Sequence, residues 1–384
     1  MNENNEAIYL DYNAAAPVAP VCVDAALEYM DGGFGNPSSK HSSGERAKRS
    51  LDEARAQIAR LINAQAAEIV FTSGGTEGNQ AAIMGALALD PQKNHIVISA
   101  VEHPSVLLLC KHLEGQGVRV TYLEVDGDGR LDLQQLDDAI AENTALVSLM
   151  WANNETGVLF PIEEIASITA AKGVIFHSDA VQAAGKLPID VKALPVDLLT
   201  LSGHKLYAPP GVGALYVRKG LKLPPLMFGH QERGRRGGSE NMPGIVALGV
   251  AGLLAFDALQ TDMPRIAALR DRFERGIREQ FPFATVNGAN TERAANTSNI
   301  RFGDLNAEAI VHKLDQAGVC VSLGAACSAG GSEPSHVLTA MGLPPAAAMA
   351  SIRFSLGRDN AAEDIERVLY LLAEIVASGV ADAA

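Results

Sequence analysis

A chain of 384 residues, 47% hydrophobic and 20% charged, holds apolar material for two or three domains' worth of core, and no apolar run reaches the length of a membrane span. Its net charge of -14 opposes nucleic-acid phosphates and anionic membrane surfaces, so neither is an expected partner. The four cysteines, Cys22, Cys110, Cys320 and Cys327, form no Cys-x-x-Cys pair, which argues against a disulfide framework or zinc knuckle and leaves any important thiol to act singly.

The N-terminal Met1–Glu6 lacks the basic and apolar blocks of a signal peptide, and a cytoplasmic protein is expected. Strand-like runs then alternate with helical patterns through the first two thirds of the chain. That rhythm implies a mainly parallel sheet covered by helices, with function gathered beyond the strand carboxyl ends. The first strand, Ile8–Asp11, exits into a turn-prone stretch at Tyr12–Pro17, and Gly32–Ser39 is too rich in glycine, serine and proline for regular structure. A long helix follows, opened by a capping box at Ser42 and Glu45 and carrying an apolar face at Leu51, Ala54, Ile58 and Leu61.

The strand Glu68–Phe71 delivers Thr72-Ser-Gly-Gly-Thr-Glu-Gly-Asn79 to a helical run, Gln80–Leu89. Glycines there let the backbone approach a ligand, free N–H groups point outward, and the helix dipole favours an anion. The loop is neither a Gly-x-Gly-x-x-Gly dinucleotide fingerprint nor a nucleotide P-loop, so a single phosphate is the expected ligand, with Ser73 and Thr76 adding hydroxyl donors; a plain turn and helix cap is the alternative.

His95–Ser99 is the next strand, and His103 stands at its exit just before Pro104, which is placed to open a helix. His103 reads either as a functional or as a satisfied structural histidine. Val118–Leu123 and Ala145–Trp151 continue the strands; after the second come Asn153 and Asn154, able to hold a polar ligand or simply to form a turn. A helix over Ile162–Ala171 precedes the strand Val174–Asp179, with Gln182 three residues on. The apolar run Val196–Leu201 then ends on Ser202-Gly-His-Lys205. A lysine held at the end of a buried strand is partly desolvated, its pKa falls, and it becomes able to attack a carbonyl and form a Schiff base; a solvated loop lysine is the alternative.

Gly211–Val217 reads as a strand turning back at the far edge of the sheet, and Arg233-Gly-Arg-Arg-Gly-Gly238 as either a solvated loop or an anion-binding segment. Helical sequence over Pro243–Leu259 closes the first domain. From Met263 the pattern changes to a long amphipathic helix, the strand Asn299–Phe302 and the helix Ala307–Gln316, a smaller α+β domain. Within it Val321–Ser332 is built of tiny side chains, which bury too little apolar area to offset their ordering entropy, so the stretch is expected to be mobile. Cys327 in this stretch is an accessible thiol, reactive or incidental, whereas Cys320 reads as core. Arg353 falls inside the strand Ser351–Ser355, where an unpaired guanidinium would be costly unless it met a carboxylate.

Together a phosphate loop, an aspartate, a histidine, a Schiff-base lysine and an arginine suit pyridoxal phosphate with an amino acid. The motifs Leu10-Asp-Tyr-Asn13, Gly35-Asn-Pro-Ser-Ser39, Ser73-Gly-Gly-Thr-Glu77, Glu102-His-Pro104, Asn153-Asn-Glu-Thr-Gly157, Asp179-Ala-Val-Gln182, Ser202-Gly-His-Lys205 and Ser351-Ile-Arg-Phe-Ser-Leu-Gly357 resemble the class V aminotransferase group of pyridoxal-phosphate enzymes, specifically the cysteine desulfurases, nearly end to end. The cysteine stretch followed by Glu333–Leu338 is similar to the long-loop group that supplies sulfur for iron-sulfur clusters, including the nitrogen-fixation type.

The resemblance implies the α/β fold of fold-type I, a mainly parallel sheet with helices on both faces plus a smaller α+β domain. It places a large cofactor-binding domain over residues 17–259 and a small one over 1–16 and 260–384, the latter carrying a nucleophile loop at about 321–333. It further implies that Lys205 holds pyridoxal phosphate and moves protons at the substrate Cα, that Asp179 keeps the pyridine nitrogen protonated, and that His103 stacks on the ring and transfers protons. Gln182 and Asn154 would hydrogen-bond the phenolate side; Gly75, Thr76, Ser202 and His204 would hold the phosphate; Ser239 would reach the phosphate of the partner in a homodimer. Asn154 and Arg353 would bind the L-cysteine substrate, and Cys327 would take its sulfur as a persulfide for an iron-sulfur scaffold or other acceptor protein. Two departures from the family pattern stand out: Gly324-Ala-Ala-Cys-Ser328 around the nucleophile, and Ala15-Ala16 where a threonine pair is common. A selenocysteine lyase, an ordinary aminotransferase and a non-catalytic sulfur-transfer scaffold are the alternatives; Cys327 argues against the aminotransferase, and Lys205, Asp179 and His103 together argue against the scaffold.

Overall fold

The computed structural model describes residues 7–323 and 333–379. In chain order its strands are β1 (Ile8–Tyr9), β2 (Ile69–Thr72), β3 (His95–Ser99), β4 (Arg119–Leu123), β5 (Thr144–Ser148), β6 (Ile175–Asp179), β7 (Leu198–Ser202) and β8 (Gly213–Val217). After them come β9 (Ala284–Val286), β10 (Thr297–Phe302), β11 (Val319–Cys320), β12 (Ser322–Leu323) and β13 (Ser351–Ser355). Strands β2 to β8 form one sheet in the order β2-β8-β7-β6-β5-β3-β4, parallel except for β8.

Alternation along each strand sends side chains to opposite faces, and both faces are apolar. Phe71, Val97, Val147, Leu199 and Leu201 face one core, whereas Val70, Ile96, Ile98, Leu146 and Leu198 face the other. A third core gathers on the antiparallel sheet β12-β13-β10-β9, where Ile300, Phe302, Ile352 and Phe354 meet the helices Asp262–Gln280 and Ala362–Ala377. The short β1 crosses to that core by pairing in parallel with β11, and Asp11 bridges to Ser355.

Several elements differ in detail from the sequence reading. The helix over Ser42–Leu61 (with Pro20–Met30, the first two helices α2 and α1) is capped by His41, whose Nδ1 accepts from the Gly44 N–H, so Ser42 is already inside it and no capping box forms. The helix after β2 starts at Gly75, five residues before Gln80, and runs to Leu89 as α3. Strand β8 lies between β2 and β7, leaving β2 at the edge. Cys320 is half-buried, because β11 pairs only with the two-residue β1.

The arginine segment has a structural use that neither sequence reading anticipated. It covers the free edge of β2, whose unpaired backbone groups would otherwise invite another strand. Glu232 accepts from the Phe71 N–H at 3.0 Å and forms a bidentate pair with Arg55 at 2.6 and 2.7 Å, while Arg55 donates to the Ile69 carbonyl at 2.8 Å. Arg235 donates to the Ala67 carbonyl, and Arg236 pairs with Glu77 in the first turn of α3. Glu232 and Arg233 hold left-handed backbone conformations at φ 48° and 61°, and the buried pair offsets that strain.

Among the described residues no single helix is long and apolar enough to cross a membrane.

The carboxyl ends of β3 and β5 are joined by Glu102, which is fully buried and accepts through Oε1 from Ser99 Oγ at 2.7 Å and the Met150 N–H at 2.9 Å. Its Oε2 has no hydrogen-bond partner among the described residues. Burial pushes its carboxyl up to about 8, against the pull of those two hydrogen bonds. The folded protein therefore keeps a proton that the unfolded chain releases near the ordinary carboxylate range, and Glu102 costs stability as pH rises through that window to about 8. Glu102→Gln does not titrate. Its thermal midpoint relative to the parent is expected to rise by about 2 °C or more between pH 5 and pH 8, as followed by circular dichroism; a gap independent of pH would contradict this account of Glu102.

Candidate active site

Strands β3, β5, β6 and β7 end side by side on one edge of the sheet, and their exits line a cavity of about 190 Å³. Gly75, Thr76, His103, Asn154, Asp179 and Gln182 line it, together with Ser202, His204, Lys205 and Arg353. Ten of the twelve residues singled out from the sequence thus converge. Ser239 is exposed and does not line this cavity, and Cys327 lies outside the described residues.

One end of the cavity is built for an anion. Gly74 turns the chain at φ 152°, in a region side chains disfavour, so that α3 opens directly onto the cavity with its free N–H groups. A Cβ on Gly75 would stand 3.0 Å from Val181 and 3.8 Å from Ser202 Oγ, filling the space between helix and hydroxyl. Ser202 Oγ and His204 Nδ1 lie 3.0 Å apart, one hydrogen bond across that wall. Burial holds His204 down to about 4, with Lys205 and His103 adding to the shift, so it is neutral at pH 7 and can donate without a charge of its own.

Asp179 closes another wall. It is buried at the end of β6 and accepts from Asn79 Nδ2 at 2.7 Å and from the Val181 N–H at 3.0 Å. Each carboxylate oxygen keeps a lone pair, so the group can still accept from a protonated ring nitrogen. Asn79 also donates to Ser105 Oγ at 2.8 Å, and it has no counterpart in the sequence reading. Its position three residues after Thr76, one turn along α3, was the available signal.

His103 caps the helix Pro104–Glu114 (α4): its Nδ1 accepts from the Ser105 N–H at 3.1 Å. A backbone N–H can only donate, so the imidazole proton sits on Nε2 when the ring is neutral. Burial lowers its pKa, Asp179 opposes this, and Lys205 and His336 reinforce it.

Lys205 is half-buried, in the single 3-10 turn Gly203–Lys205 after β7. Its ammonium donates to the Asn13 carbonyl at 2.6 Å and to that of Ala14. Across the cavity Arg353, buried in β13, meets the carboxylate that its place in a strand required: Nη2 to Asp11 Oδ1 is 2.7 Å, and Nη1 donates to the Asn154 carbonyl at 3.1 Å. Asp11 and Asn13 belong to a motif noticed in the sequence but given no role there.

Pyridoxal phosphate fits this donor set. An anion cradle without a side chain at Gly75, a buried carboxylate for a ring nitrogen, an imidazole and an amine line one cavity, and an arginine for a substrate carboxylate stands beyond them.

Residues 8–368 match the family model for class-V aminotransferases. The cysteine desulfurase of Trichormus azollae is 50% identical over 370 residues, 96% of this chain and 92% of that protein. The cysteine desulfurase NifS of Azotobacter vinelandii is 46% identical over 372 residues, 96% of this chain and 92% of that one. Among solved structures, a NifS-like protein from Rickettsia africae superposes with a TM-score of 0.87 at 35% identity, covering 97% of this chain and 100% of the other. With its sheet, its cavity and near end-to-end likeness to these proteins, the chain belongs to the class-V aminotransferase family, in its cysteine desulfurase branch.

Proposed function

We propose that this cysteine desulfurase works with pyridoxal phosphate seated in the cavity, that Cys327 receives the substrate sulfur as a persulfide, and that a homodimer and a sulfur-acceptor protein complete the pathway. The observation that carries the reading is the convergence of Lys205, Asp179, His103 and the Gly75 cradle on one cavity with Arg353 at its rim. When bound, the cofactor supplies an electron sink that weakens bonds at the substrate Cα and Cβ.

The chain's residues divide the remaining work. Gly75, Thr76, Ser202 and His204 hold the phosphate; Asp179 accepts from the ring nitrogen and keeps it protonated; Gln182 and Asn154 bond the phenolate side. Arg353 binds the carboxylate of L-cysteine through its planar guanidinium, which Asp11 holds in place. Lys205 removes and returns protons at the substrate Cα, and His103 stacks on the ring and carries protons with its Nε2 side. The Cys327 thiolate attacks the substrate sulfur: a sulfur-sulfur bond forms, the carbon-sulfur bond breaks, and the electron pair left on carbon takes a proton to give L-alanine. No outside oxidant is needed, since the thiol and cysteine become a persulfide and alanine.

Ser239 supports the dimer reading by its position: exposed, beyond the arginine segment, and off its own chain's cavity, it is available to a neighbour's phosphate site. Exposed Met30 and Phe34 and the 86% exposed Phe228 supply apolar surface for that contact. The tryptophan and paired asparagines of Trp151–Gly157, with the likeness to NifS, favour cluster assembly of the nitrogen-fixation type as the destination of the sulfur. We place the two-domain division at residues 17–259 against 1–16 and 260–384, and the protein in the cytoplasm.

Cys327→Ala is expected to keep the yellow colour of the bound cofactor while losing persulfide formation and at least about 100-fold in sulfide release from L-cysteine under reductant; release at the parental rate would remove Cys327 from the mechanism. Asp179→Ala is expected to weaken cofactor retention on dialysis and to cost about 100-fold or more in kcat, and unchanged values for both would remove Asp179 from the site.

A further inference from the structure

Lys186 is half-buried, with its amine enclosed at the tip, and the mechanism does not use it. It lies on the consecutive turns that follow β6, four residues beyond Gln182, where Gly185 adopts φ 72°. A Cβ on Gly185 would come within 2.7 Å of Leu206 and 2.9 Å of Ala255, so the missing side chain lets this turn pack against the residue next to Lys205. The Lys186 ammonium is thereby enclosed, and it donates to Gln182 Oε1 at 2.6 Å and Asn13 Oδ1 at 2.8 Å. Both acceptors are neutral amides. Burial lowers the lysine's pKa well below the ordinary range, and Lys205 and Arg353 lower it further. A charge held in such a place, with no carboxylate partner among the described residues, costs stability, and a neutral side chain of the same shape would avoid that cost.

The two hydrogen bonds give the lysine a task. Its amine donates both hydrogen bonds, so the amide oxygens of Gln182 and Asn13 both turn towards it and their NH2 groups point away. For Gln182 the consequence is direct: its Nε2 donates at 3.0 Å to the Asn13 carbonyl, the same oxygen that receives Lys205 Nζ at 2.6 Å. A flipped amide would set oxygen against carbonyl and NH2 against ammonium. For Asn13 the freed Nδ2 donates to the Asn154 carbonyl and to Thr297 Oγ1. Asn154 in turn takes Arg353, whose partner is Asp11. The small cavity behind these groups, about 30 Å³, holds no ligand-sized space, so the lysine's role lies on the Gln182 side.

We propose that Lys186 is a positioning residue for the desulfuration reaction, fixing the Gln182 and Asn13 amides so that a hydrogen-bond donor stands beside Lys205 and the arm to Arg353 is held in register. The proposal rests on the reading of the cavity as the pyridoxal-phosphate site. The test uses the full-length holoenzyme, the pH titration of its visible absorbance band, and L-cysteine kinetics. Lys186→Met is expected to raise the titration midpoint by about 0.5 unit or more, to lower kcat/KM about tenfold or more, and to leave the thermal midpoint of the cofactor-free protein unchanged or higher. Lys186→Arg, which still donates, is expected to stay within about threefold of the parent. Gln182→Leu combined with Lys186→Met is expected to shift the midpoint no further than the larger single change, because the lysine acts through that amide. Should Lys186→Met fail to accumulate, Lys186→Gln, shorter and neutral, gives the same reading. A Lys186→Met or Lys186→Gln variant that titrates and turns over like the parent, or single shifts that add in the double variant, would overturn the proposal. A parent protein with no visible band would instead overturn the reading of the site.

Discussion

The carbonyl and side chain of Asn13 hold the two halves of this molecule in register. Asn13 is buried on the N-terminal segment that leaves β1, and its own N–H donates to Ser355 Oγ at the end of β13. Its backbone oxygen receives Lys205 and Gln182, its amide oxygen receives Lys186 and Asn296, and its amide nitrogen reaches Asn154 and Thr297. Groups from the exits of β5, β6 and β7 are thus tied to β10 and β13 through one residue. Every polar atom of Asn13 is bonded, and because an unpaired polar group here would be costly, the residue specifies one arrangement of the parts. Arg353, carried by the smaller sheet, faces Lys205, carried by the larger one, because Asn13 and Asp11 sit between them.

Around that joint the electrostatics are one-sided. Lys205, Lys186 and Arg353 stand together, Arg353 paired with Asp11, while Asp179 lies on the wall beside α3 and α4. His103 and His204 are pushed towards neutrality by burial and, among these cations, by Lys205. Such a cavity favours an anionic ligand at each end, one at the helix N-terminus and one at the arginine.

Much of this was legible in the sequence because local rules carried it. The parallel sheet followed from the alternation of buried strands and amphipathic helices; the strand exits, together with the family resemblance, pointed to nine of the residues that line the cavity, while Arg353 was picked out inside a strand. What stayed hidden depended on residues far apart in the chain. The partner of Arg353 is Asp11, 342 positions away, and nothing near either residue signals the pair. Asn79 reads in the sequence as the last residue of the loop before the helix, and Lys186 is given no reading there. The arginine segment misled in the opposite direction: its charge suggested an anionic ligand, whereas its partners are the backbone of an edge strand and the carboxylate of Glu77. The start of α3 was placed too late because glycines at Gly75 and Gly78 weaken helix propensity, while the tight approach of Gly78 to Thr200 requires glycine there.

Two amines, Lys205 and Lys186, converge on Asn13, and the account gives only one of them the covalent role. Reduction of the holoenzyme with borohydride, followed by proteolysis and mass spectrometry, reads this directly. The account expects the added cofactor mass on the peptide containing Lys205, with Lys186 unmodified; the mass on Lys186, or on neither lysine, would contradict it.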